Sequence, residues 1–296
     1  MITRAIEYFS LEHTALSGQC FRMNPIPGGG FSVISQGRFL EIFQRENIFS
    51  FSCSEEDFPY WENYFDLKTD YRKIASSVLP QDSYLRKAAE FGKGIRILRQ
   101  DVWEMIITFV ISQQKTIPKI KEAAELLSCS YGKQMEAFGH VYYAFPTPAE
   151  LSKASLEDLL KLKLGYRAKY IHRICRDALE GHLDLNFLAA MDYAQAMDYL
   201  TGFYGIGEKV ANCICLFGLH HVDAFPVDTW IKKILLREYY SEKYNSLPKS
   251  KLYDAIIKEH FSIYKGYAGV MQQYIFFYER SLSQTTGSLP ECSPDS

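Results

Sequence analysis

A lysine and an aspartate stand nineteen residues apart in the run FYGIGEKVANCICLFGLHHVDAFPVDTW, residues 203–230. Lys209 follows a Gly-Ile-Gly turn and opens an apolar stretch with helical spacing; Asp228 lies in PVDTW. An amine at a helix N-terminus feels partial positive charge, and one packed beside Val, Ala, Cys, Ile and Leu is desolvated. Both effects favour the neutral form that a nucleophile requires. The carboxylate of Asp228 could stabilise positive charge that develops during attack. Gly205 and Gly207 have no Cβ, so backbone amides at the turn can come close to an anion such as a phosphate. Each feature also has a plainer explanation: a tight helix–helix turn for the glycines, and a helix N-cap for Asp228.

These residues need a helical frame. DVWEMIITFVISQQ is an apolar helix candidate that Asp101 can cap, and IPKIKEAAELL has helical spacing with Pro118 near its start. SLEDLLKL has Ser155 at an N-cap position, and RAKYIHRICRDALEG is amphipathic and ends at Gly181. DYAQAMDYLTGF and EKVANCICLFGL flank the turn, and three further helical segments reach YAGVMQQYIFFYERSL. The first hundred residues differ. FSVISQGRFLEIFQRENIFSFSC reads as three short strands separated at QGR and REN, NPIPGGG as a loop, and DSYLRKAAEF as a helix. The expected fold class is α+β. A small N-terminal antiparallel β-sheet domain covers 1–100, a mostly α-helical domain covers 101–283, and a polar tail at 284–296 is expected to be disordered.

The net charge of −2 excludes a globally basic footprint, so any nucleic-acid role must rest on a local patch. Seven cysteines, an odd count with no CxxC pair, read as reduced thiols and not as a disulfide framework or a zinc site. No apolar run approaches a signal peptide or a membrane span, so an intracellular monomer with no membrane partner is expected.

On the hairpin YGIGEKVANCICLFGL and the downstream AFPVDTW, the chain resembles the helix-hairpin-helix, Gly/Pro…Asp superfamily of DNA glycosylases. SGQCFR, LGYRAKY and YAGVMQQYIFFY, in that order, are similar to the 8-oxoguanine branch. The resemblance spans nearly the whole chain except the tail. It implies a bifunctional DNA glycosylase and abasic-site lyase acting on duplex DNA that contains 8-oxoguanine, with the damaged base flipped out. Lys209 would attack C1′ and form a Schiff base, the 3′ phosphate would then be eliminated, and Asp228 would stabilise the oxocarbenium-like sugar. The Gly18 carbonyl would accept the N7–H that distinguishes the lesion from guanine. Gln272 would read the Watson–Crick edge, with Phe276 and Cys213 stacking on the two faces of the base. Gln114 would fill the emptied stack, Tyr166 would wedge, and Arg167 and Lys119 would face the orphaned cytosine. Gly205 and Gly207 would hold a phosphate.

No cofactor is required for this chemistry. The resemblance also implies a structural monovalent cation on the main-chain carbonyls of Thr201, Phe203 and Ile206. No iron–sulfur cluster is expected, because only Cys292 follows Cys215. The sequence departs from the family at two positions. Lys119 stands in place of an arginine whose bidentate fork it cannot reproduce, which suggests relaxed preference for cytosine. Trp230 stands in place of a histidine. Two alternatives stand beside this reading: a monofunctional alkyl-purine glycosylase, which would lack the hairpin lysine, and a non-catalytic hairpin module that binds DNA backbone.

Overall fold

The computed structural model describes residues 1–286. The chain opens with a five-stranded antiparallel sheet of β1 (Ile2–Ala5), β2 (Met23–Ile26), β3 (Gly30–Ser35), β4 (Arg38–Arg45) and β5 (Ile48–Phe51), in the order β1-β5-β4-β3-β2. The three expected strands are β3 to β5. Ser35 pairs with Arg38 and Arg45 with Ile48, so both connections are two-residue turns. Gln36 and Gly37 both take left-handed φ there, which suits the twist of a tight hairpin. NPIPGGG is only partly loop. Asn24, Pro25 and Ile26 pair with β3, and Pro25 is tolerated because β2 is an edge strand with no further partner to serve. Alternating residues Val33, Leu40, Ile42, Phe49 and Phe51 are buried against Trp61, Tyr64 and Phe65.

The rest is helical. Val102–Ser112 is buried along most of its length and forms the axis of the larger core. Asp101 caps it by accepting from the Glu104 amide at 2.8 Å. Around it pack Ile117–Tyr131, Arg167–Leu179, Tyr193–Thr201, Glu208–Phe217 and the long helix Ala268–Thr286. Phe21 and the segment from Tyr71 to Ile97 also contribute to this core. A two-stranded hairpin, Gln134–Ala137 with His140–Tyr143, interrupts the mostly helical region at a place where no strand was expected. Its turn is Phe138-Gly139, both at positive φ. The last helix runs past the expected tail boundary to Thr286; the remainder of that tail, 287–296, lies outside the described residues. Among the described residues no helix is long and apolar enough to cross a membrane.

Candidate active site

Tyr193–Thr201 and Glu208–Phe217 form the helical hairpin, with Gly207 as N-cap of the second helix. Gly205 has φ +92, and a Cβ there would lie 2.3 Å from Tyr170 Cγ. Its glycine is therefore demanded by packing as well as by backbone conformation. At Gly207 a Cβ would meet nothing within 4 Å, so that position faces open space beside the helix N-terminus.

Lys209 sits in the first turn of the second helix, half-buried. Its ammonium lies 3.3 Å from Ser112 Oγ and 5.6 Å from the centroid of the Phe109 ring. Asp228 is the N-cap of Thr229–Ile234 and accepts from the Ile231 amide at 2.9 Å. Burial pushes the Asp228 carboxyl up; the Ile231 amide and then the Lys209 charge pull it back. Burial likewise raises the Cys213 thiol, with the Lys209 charge opposing and Asp228 reinforcing. Lys209, Cys213 and Asp228 thus share one partly desolvated site, with Ser112 and Phe109 also beside the Lys209 amine.

A second group surrounds Gly18, which has φ +80. A Cβ on it would lie 2.9 Å from Ile117 Cδ1 and 3.2 Å from Phe276 Cε1. Phe276 is half-buried on the long C-terminal helix. Gln272, one turn earlier, is only 3 % exposed. It donates to the Pro226 carbonyl at 3.1 Å and accepts from Gln273 Nε2 at 3.3 Å. Pro226 lies two residues before Asp228, so Gln272 links the Gly18–Phe276 group to the Lys209–Asp228 group.

The third group is on the surface beside the hairpin. Gln114 is exposed at φ +51, a left-handed conformation that costs a non-glycine residue about 1 kcal/mol or more. Tyr166 is 43 % exposed, a large aromatic left open to solvent. Arg167 is turned inward. Its Nε donates to the Gln113 carbonyl at 2.7 Å, Nη2 donates to the same oxygen, and Nη1 reaches Leu164 O at 3.3 Å. Lys119 is exposed and paired with Glu122 at 2.8 Å, which also holds Lys163 at 3.1 Å. The helix after Arg167 carries Lys169, Arg173 and Arg176, but its basic face is narrower than this run suggests. Arg173 pairs with Asp177 and Arg176 with Glu180, each one helical turn on, leaving Lys169 exposed. Trp230 is half-buried in the first turn after Asp228.

A family model described as HhH-GPD superfamily base excision DNA repair protein matches residues 107–256. The chain belongs to this superfamily. The 8-oxoguanine DNA glycosylase N-terminal domain matches residues 1–106. The chain is similar to the N-glycosylase/DNA lyase of Saccharomyces cerevisiae, 31% identical over 258 residues that cover 76% of this chain and 68% of that protein. It is also similar to the N-glycosylase/DNA lyase of Arabidopsis thaliana, 29% identical, with 62% of that protein covered. A Clostridium acetobutylicum 8-oxoguanine glycosylase/lyase, solved with duplex DNA bearing cytosine opposite 8-oxoguanine, superimposes with a TM-score of 0.86. It is 32% identical, over 96% of this chain and 99% of that one.

Within this HhH-GPD framework, three further residues contribute, of which Ser112 and Gln113 were not singled out by the sequence and Gln273 was only a rival to Gln272. Ser112 holds the Lys209 amine. Gln113 donates to Gly205 O at 3.0 Å while its own carbonyl binds Arg167, so one residue ties the hairpin turn to the surface group. Gln273 fixes the amide of Gln272. The only hint in the sequence is that Ser112 and Gln113 end a strongly apolar helix with polar side chains.

Proposed function

We propose that this chain excises 8-oxoguanine from duplex DNA and then cleaves the strand through a Schiff base on Lys209. The juxtaposition of Lys209 with the half-buried, helix-capping carboxylate of Asp228 carries this reading, because a non-catalytic hairpin has no use for it. The amine of Lys209, in its neutral form, adds to C1′ as the C1′–N9 bond breaks, and the departing base takes up a proton. Asp228 stabilises the positive charge that builds on the sugar in a site where water screens little. Ring opening then gives the imine between Nζ and C1′. Loss of a C2′ proton expels the 3′ phosphate, so no oxidant, reductant or metal enters the balance.

Recognition is assigned to Gly18, Gln272, Phe276 and Cys213. The carbonyl of Gly18 accepts the lesion's N7–H, where guanine offers only a lone pair. Phe276 is open enough to stack on a flipped base, and Gln272 retains donor and acceptor capacity beyond its two bonds. Gln114 and Tyr166 fill and wedge the emptied stack. Arg167 and Lys119 reach the opposite base only by leaving the Gln113 carbonyl and Glu122, so cytosine preference is relaxed. Gly205 and Gly207 seat a backbone phosphate.

The carbonyls of Thr201, Phe203 and Ile206 are assigned to a monovalent cation that braces the turn. All-oxygen donors suit a hard cation, and Phe203 O, which accepts the Ile206 amide at 3.1 Å, has a second lone pair. The test of the function is incubation with duplexes carrying one 8-oxoguanine opposite C, A, G or T. Base release with strand cleavage is expected on at least the C and one other duplex. Release of alkylated purines without strand cleavage would favour the monofunctional alternative.

A further inference from the structure

The turn that presents Gly18 is clamped from two sides. Gln19 is fully buried, and its amide donates to Ser17 Oγ and Arg96 O, both at 2.8 Å, and accepts from the Leu98 amide at 2.8 Å. This side fixes the turn to the junction between sheet and helices. On the other side Arg280 holds it. Arg280 Nη1 donates to the Leu16 carbonyl at 2.9 Å and lies 3.6 Å from where a Gly18 Cβ would be. Arg280 is four residues after Phe276, so both emerge from the same face of the last helix. Its guanidinium is half-buried, and burial pushes its pKa down. Among the described residues no carboxylate forms an ion pair with it, unlike Arg22, Arg99 and Arg237. A half-buried cation with no anionic partner is costly, so packing alone gives no reason for an arginine here.

We propose that Arg280 is a positioning residue for lesion recognition. Its hydrogen bond to Leu16 O locks the turn bearing the Gly18 carbonyl onto the helix bearing Phe276, so that the groups reading the edge and the face of the base move as one unit. This inference rests on the functional reading above. It concerns the base-reading step, because among the described residues Arg280 bonds the Leu16 carbonyl and makes no hydrogen bond to Lys209, Ser112 or Asp228.

The test compares two substrates under single-turnover conditions: a duplex with 8-oxoguanine opposite cytosine, and the same duplex with a preformed abasic site. Arg280→Ala is expected to slow 8-oxoguanine excision by roughly tenfold or more, the size of a lost charge-assisted hydrogen bond. Abasic-strand cleavage should stay within about twofold of wild type, on the same principle that no bond at Lys209 is lost. Arg280→Lys, which can still donate to Leu16 O, should recover most of the excision rate. Equal loss on both substrates, unchanged excision in Arg280→Ala, or no recovery in Arg280→Lys would overturn the proposal. If Arg280→Ala fails to fold, Arg280→Met keeps the aliphatic stem and is read by the same criteria. A wild-type protein inactive on 8-oxoguanine would refute the functional reading itself, whereas variants that keep full lesion preference refute only the role of Arg280.

Discussion

Asp228 serves two purposes with one carboxylate. One oxygen caps a helix, and the charge faces Lys209. Asparagine caps nearly as well as aspartate, so Asp228→Asn separates the two. The variant should keep its thermal midpoint and duplex affinity while excision falls by about 100-fold, the usual size of a lost electrostatic stabiliser. Burial raises the Asp228 carboxyl above its ordinary value of 3.8. Activity that needs the carboxylate is therefore lost, as pH falls, at a higher pH than an ordinary aspartate would give. This acid limb should vanish from the residual activity of Asp228→Asn. At Gly18, an added methyl meets Ile117 and Phe276 on a backbone at φ +80. Gly18→Ala should lower excision of 8-oxoguanine more than it lowers affinity for undamaged duplex, measured by fluorescence anisotropy.

At the scale of elements, the two hairpin glycines differ in kind although the motif presents them as a pair. Gly205→Ala places a methyl 2.3 Å from the Tyr170 ring, on backbone with φ +92. It should lower stability by about 2 kcal/mol or more and be visible as a depressed Tm. Gly207→Ala meets no atom and has ordinary φ, so the fold should be retained while duplex affinity weakens. Calorimetry and anisotropy on the two variants separate the effects. The hairpin, the caps at Asp101, Ser155 and Asp228, and the central strands were legible because local pattern and local structure agree there. β2 was not, because Pro25 hides a strand whose place at a sheet edge only the tertiary fold defines. The Gln134–Tyr143 hairpin was hidden in the same way, being short and weakly alternating. Ser112 and Gln113 matter through contacts with Lys209, Gly205 and Arg167, residues far away in the chain, a separation that no local pattern encodes.

At the scale of the molecule, the sheet and the helices meet through buried polar contacts as well as apolar packing. Arg22, from the sheet side, is buried and reaches Glu125 at 2.9 Å. The nearby Glu104 is buried and pushed up to about 8, chiefly by burial, with Arg22 opposing and Asp101 and Glu125 reinforcing. The sign follows from linkage. A carboxyl whose folded pKa is raised from 4.5 to about 8 binds its proton more tightly when folded. Stability is thus fully present below its unfolded value and is lost as pH rises through this window. Glu104→Gln should leave Tm unchanged near pH 4.5 and raise it relative to wild type near pH 8, removing part of the alkaline decline. Lys209 and Asp228, the Gly18 turn and Tyr166 lie on distant segments of the chain, and the fold of sheet and helices sets their mutual arrangement.

The central claim is that Lys209 is a nucleophile, and borohydride trapping on a duplex containing 8-oxoguanine tests it most directly. The wild-type chain should form a covalent protein–DNA adduct that Lys209→Gln does not form, although the variant still binds the duplex. An adduct that persists in Lys209→Gln, or base release by the wild type with no trappable adduct, would contradict the account.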